Sequence, residues 1–140
     1  MITVYLACDS KLQSAARMLR EKLGTRGIMV TSRWLDNDFD LNWTTEKLIE
    51  EAEKDLVDID EAHYFVLYNP KSHHRGGTGG RHFETGYAYA HGKLLIYCSE
   101  EVENVFHNLI DIHVVMKDKE TFNDFVDTLA NVIHSIKEDE

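Results

Sequence analysis

YFVLYNPKSHHRGGTGGRHFETGYAYAHGKLLIYC, Tyr64 to Cys98, is the stretch whose reading decides the fold. Its ends, Tyr64 to Tyr68 and Leu94 to Cys98, are short apolar runs of the kind that form strands buried on both faces. Between them lie a glycine-rich loop and a small-residue helix that closes at Gly92. A strand, a helix and a second strand in that order make a parallel pair with its crossover. Four of the chain's eight glycines, Gly76, Gly77, Gly79 and Gly80, fall within five positions of the loop. That density points to backbone conformations closed to other residues, or to close approach of a ligand. The carboxylate of Glu84 is expected near the start of the helix, where the helix dipole favours its charged form.

The same alternation continues on both sides. Ile2 to Cys8 reads as a first strand, and Leu12, Ala15, Ala16, Leu19 and Leu23 repeat at helical spacing after it. Ile28 to Trp34 reads as a second strand. Leu35 to Trp43 is irregular and acidic, long enough to reach over a pocket. A helix opens at Thr44, with an expected apolar stripe of Ile49, Ala52, Leu56 and Ile59. Asp55 falls at the edge of that stripe and Asp58 points away from it. Ile112 to Met116 is a fifth strand, and Thr121 to Ile136 a closing amphipathic helix. The expectation is therefore an α/β protein, one domain over residues 1–140, with a five-stranded parallel sheet and helices on both faces. That arrangement is a Rossmann- or flavodoxin-like three-layer sandwich. In such sheets ligands bind at the carboxyl ends of the strands. Cys8 and Asp9, the loop from Trp34 to Trp43, and the glycine loop all converge on that edge.

The totals bound the function. The chain has 140 residues, 43% of them apolar, and a net charge of −10. This argues against a general binder of nucleic-acid polymers or anionic membranes, which needs a basic face. No apolar run approaches a membrane span. The N-terminus reads as a strand, not a signal peptide. Two cysteines in strand-like runs fit reduced, buried thiols in a cytoplasmic protein. The histidines His73, His74 and His82 flank the loop without a metal-binding spacing, so neither a metal nor a cofactor is expected.

Several residues could do chemistry. Glu84 fits a nucleophile, and equally a solvated glutamate that improves a helix terminus. Gly86, Ala88 and Ala90 are expected to let its helix pack closely on the sheet. The loop glycines Gly77, Gly79 and Gly80, with Arg75, Arg81 and His82, fit an anion site, or a plain surface loop. The loop is neither a P-loop nor a dinucleotide fingerprint. Asp55 fits an acid or a holder of a substrate hydroxyl, and also an ordinary paired acid. Trp34 and Trp43 fit stacking on a base, or core packing.

VYLA at Val4 to Ala7, DLVDIDEAHYFVLYNP at Asp55 to Pro70 and FETGYAYAHGK at Phe83 to Lys93 together resemble the nucleoside 2-deoxyribosyltransferase superfamily. That superfamily includes 2′-deoxynucleoside 5′-phosphate N-hydrolases. VTSRWLD and ENVFHNL are similar to a subgroup of it, and the resemblance spans Ile2 to Met116. It implies cleavage or transfer at the N-glycosidic bond of a nucleoside or nucleoside 5′-monophosphate. It implies Glu84 as the nucleophile, Asp55 as the group that positions or protonates, and Tyr5 as the residue that orients Glu84. It also implies a homo-oligomer in which a neighbouring subunit completes the site, with Asn104 to Asn108 the candidate segment. Two departures stand out. The loop before Glu84 holds no acid, so it suits a phosphate and makes hydrolysis a firmer expectation than transfer. Asp9 stands where many relatives have glycine, and is expected to alter the pocket. GGTGGRHFE is also similar to the GGxGTxxE motif of cytokinin-activating phosphoribohydrolases, with its glutamate one residue further on. A catalytically silent nucleotide-binding module would keep the same pocket.

Overall fold

The computed structural model describes residues 1–38, 40, 42–70, 79–102 and 105–140. Five strands, β1 (Ile2–Ala7), β2 (Ile28–Val30), β3 (Tyr64–Tyr68), β4 (Leu94–Ser99) and β5 (Ile112–Val115), form one parallel sheet in the order β2-β1-β3-β4-β5. β1 lies inside the sheet, between β2 and β3, and is apolar on both faces. Val4 and Leu6 point into one core, and Tyr5 and Ala7 into the other. It pairs Val4 with Val30 on one side and with Tyr64 on the other. The strand order reverses between β1 and β3, which opens a crevice at their carboxyl ends.

α1 (Gln13–Gly24) and α4 (Phe122–Asp139) cover the Val4 and Leu6 face. Ala16, Leu19 and Leu23 of α1 and Phe125, Leu129 and Ile133 of α4 are fully or nearly fully buried there. Thr121 caps α4 by accepting a hydrogen bond from the Asp124 N–H. α2 (Thr45–Glu61) and α3 (Gly80–Ala90) cover the Tyr5 and Ala7 face. Thr44 caps α2 through the Lys47 N–H at 3.1 Å. Only Ile59, Ala62 and Ala88 reach the second core as buried helix-side residues.

Three expectations need correction. β2 stops at Val30 rather than running to Trp34. The Ser32 hydroxyl accepts from the Leu6 N–H at 2.8 Å and donates to the Leu6 carbonyl at 3.1 Å. It thereby takes the groups a continuing strand would have paired, and a short 3-10 helix, Arg33–Asp36, follows. Asp58 is buried at 2% exposure instead of pointing away, while Ile49 is 53% exposed. Of the apolar stripe read from the sequence, Ile59 is buried and Leu56 packs against the core, whereas Ile49 and Ala52 are exposed and Glu51, Asp55 and Asp58 turn inward beside them. Finally, α3 is not closely seated along its length. Gly86 and Ala90 are exposed, and a side chain at Gly86 would meet open space.

Candidate active site

A cavity of about 490 Å³ opens at the carboxyl ends of β1 and β3. The end of β1 supplies Cys8, Asp9, Ser10 and Lys11. The segment after β2 supplies Trp34, Asn37 and Asp38, and Trp43 stands just before α2. α2 adds Glu51 and Asp55, and the start of α3 adds Gly79, Gly80, Arg81 and Glu84. Gly79 enters α3 with a φ of 85°, a left-handed conformation that favours glycine. The rotation of α2 explains why its acids line a pocket. Spacings of four and three place Glu51, Asp55 and Asp58 on one helix face.

Five carboxylates meet two cations on these walls. Asp38 bonds to Arg17 at 3.1 Å, and Glu51 bonds to Lys47 at 2.9 Å and Lys54 at 3.2 Å. Asp9 faces Arg81 at 4.0 Å. Among the described residues, Asp55 and Glu84 take part in no ion pair. Burial pushes the Glu84 carboxyl up to about 8, with Asp55 adding to the rise and the Tyr5 hydrogen bond opposing it. Burial also pushes Asp55 up to about 7, helped by the charges of Asp58 and Glu51. The expected influence of the helix dipole on Glu84 is outweighed. Glu84 is the fifth residue of α3 and lies beyond the first turn, where the dipole acts. Desolvation dominates there.

Tyr5 lies beneath Glu84, fully buried and stacked on Phe65 at 5.7 Å. Its hydroxyl donates to Glu84 Oε2 in a very short hydrogen bond. Burial and the neighbouring Glu84 hold the phenol proton far above its usual range, so Tyr5 is a fixed donor. Asp58 secures the opposite wall. It accepts from the Arg33 N–H at 2.9 Å and from Arg33 Nε at 2.8 Å. That contact turns the chain so that Trp34 Nε1 donates to the Leu6 carbonyl at 3.0 Å and the ring faces the cavity.

The structure brings together Glu84, Asp55, Tyr5, Asp9, Trp34, Gly79, Gly80 and Arg81. His82 is exposed and does not line the cavity; its ring stands 6.0 Å from that of His107. Arg75, Gly77 and Asn104 lie outside the described residues, as does the part of the glycine loop compared with the phosphoribohydrolase motif. Val105 and Phe106 are exposed and also do not line this cavity, while His107 is buried against Tyr97 at 4.2 Å. Glu51 is a wall residue that sequence reasoning missed. Its position four residues before Asp55 was the available signal. Among the described residues, no group of three or more His, Cys, Asp or Glu could hold a metal ion, and no helix is long and apolar enough to cross a membrane. Both cysteines are buried free thiols.

No protein-family model and no curated protein sequence matches the chain. Solved structures do. A CMP N-glycosidase of Clostridium botulinum superposes with a TM-score of 0.59 at 21% identity, over 91% of this chain and 97% of that one. A 2-deoxyribosyltransferase of Bacillus psychrosaccharolyticus gives 0.63 at 19%, over 88% and 95%. A 2-deoxyribosyltransferase of Leishmania mexicana gives 0.56 at 13%, over 96% and 98%. At these identities the likeness is one of fold, and it agrees with the superfamily that the sequence resembles.

Proposed function

We propose that this chain cleaves or transfers at the N-glycosidic bond of a nucleoside or nucleoside 5′-monophosphate, with Glu84 as the nucleophile. The observation that carries the reading is the pairing of Glu84 with the buried Tyr5 hydroxyl at the wall of a cavity that Asp55 shares. In the first step the Glu84 carboxylate attacks the anomeric carbon, and the bond from that carbon to the base breaks. Asp55, whose proton affinity burial raises to about 7, gives its proton to the departing base. The result is a glycosyl ester on Glu84. Water, or a second base, then attacks the same carbon, gives its proton to the Asp55 carboxylate and frees the Glu84 carboxylate. Tyr5 fixes the Glu84 carboxyl through both steps. Trp34 and Trp43 offer flat apolar faces to the base. A neighbouring subunit contributes the segment around Asn104 to Asn108; its described residues, Val105 to Asn108, do not line the cavity of their own chain.

The reading is tested by incubating the wild-type protein and Glu84→Gln with a panel of nucleosides, deoxynucleosides and their 5′-monophosphates, and measuring free base by chromatography. Base release by the wild type, reduced at least a thousandfold in the variant, is expected. Binding with full recovery of intact ligand, and no base released from any compound, would instead identify a silent binding module.

A further inference from the structure

Asp9 and Arg81 hold the two buried side-chain atoms that lack any hydrogen-bond partner, Asp9 Oδ2 and Arg81 Nε, among the described residues. The residues are only 4% and 6% exposed, and both line the cavity. Buried polar atoms without partners are costly and uncommon in a folded protein. Here one is an acceptor and the other a donor. The Asp9 carboxylate is anchored by its other oxygen, which accepts the Lys11 N–H at 3.0 Å. Its Oδ2 lies 4.0 Å from Arg81 Nη1, too long for a hydrogen bond. Both partners are therefore left to take a group that donates and accepts at once.

Resting on the N-glycosidic reading for the identity of the ligand, we infer that Asp9 and Arg81 bind a hydroxyl of the sugar and select the nucleoside over its 5′-monophosphate. A hydroxyl donates to Asp9 Oδ2 and accepts from Arg81, satisfying both atoms. A phosphate offers acceptors only. It leaves Asp9 Oδ2 unpaired and brings two like charges together inside a desolvated wall. The charged Glu84 on the same cavity wall acts in the same sense, whereas Asp38 and Glu51 are paired with Arg17, Lys47 and Lys54. The loop from which a phosphate site was expected lies, for residues 71–78, outside the described residues.

Titration calorimetry of the wild-type protein and of Asp9→Asn, with four deoxynucleosides and their four 5′-monophosphates, tests the inference. Asparagine retains the oxygen that accepts the Lys11 N–H, so the variant keeps the local fold. The wild type is expected to bind at least one deoxynucleoside tenfold or more tightly than its monophosphate. Asp9→Asn is expected to narrow that ratio at least tenfold. Equal or tighter binding of the monophosphates by the wild type, a ratio unchanged in Asp9→Asn, or no binding of either class would overturn it. Base release is scored separately. Release only from monophosphates overturns the selection and keeps the N-glycosidic chemistry. An Asp9-dependent preference without release keeps the selection and removes the chemistry.

Discussion

Glu84 and Asp55 are two carboxyls whose surroundings raise both proton affinities, and the proposed reaction needs Glu84 charged and Asp55 neutral. The pair loses one proton near 7 and the next near 8. The singly ionised pair is therefore most populated at about pH 7.5; the proposed reaction uses its minor tautomer, in which Glu84 is charged and the proton sits on Asp55, the group of lower proton affinity. A bell-shaped dependence of kcat/KM centred there is expected. Tyr5→Phe removes the hydrogen bond that opposes the rise at Glu84, so the high-pH limb moves upward. The lost bond to a charged group is worth about 1.5–3 kcal/mol, a roughly ten- to hundredfold fall in kcat. A pH–rate profile of both proteins reads the two effects together. A fall in rate with unmoved limbs would show that Tyr5 only supports packing.

At the scale of elements, α2 and the end of β2 shape the site jointly. Asp58 joins them by accepting two hydrogen bonds from Arg33. Asp58→Ala leaves the Arg33 N–H without its partner and releases the Trp34 wall. The cost is about 2 kcal/mol, at the low end for a buried pair because Arg33 is itself half exposed. Chemical denaturation measures it, and a loss below about 0.5 kcal/mol would contradict this role. The strands and most helix limits were legible in the sequence, because both-face apolar runs and caps such as Thr44 and Thr121 act locally. The rotation of α2 was not. A helical wheel assumes that the apolar stripe is the buried one, and here Ile49 and Ala52 face outward while an acidic stripe faces the site. The early end of β2 was hidden for a similar reason. It depends on a Ser32 hydroxyl meeting Leu6, a contact 26 residues apart. Glu84, Asp55 and Tyr5 were legible through the family resemblance more than through spacing. The raised proton affinity of Glu84 required knowing what covers it.

For the whole molecule, the α2 and α3 side carries a set of exposed apolar side chains. Leu48, Ile49, Val57, Phe83 and Tyr89 are 39% to 69% exposed on these two helices. Apolar surface of this kind is more usual at an interface than on a solvated face. The chain is expected to elute as a dimer or larger assembly in size-exclusion chromatography with light scattering. The double variant Ile49→Lys, Phe83→Glu is expected to shift it to monomer with loss of base release. A wild-type monomer of full activity would contradict a site completed by a neighbour.

The central claim is that Glu84 forms a covalent bond to the sugar. It is tested most directly with a nucleoside whose 2′-fluorine slows release of the glycosyl group, followed by acid quench and peptide mass spectrometry. The account predicts a peptide carrying Glu84 whose mass has risen by one fluorinated sugar residue, absent in Glu84→Gln. Release of base with no adduct on any peptide, or an adduct on another residue, would contradict it.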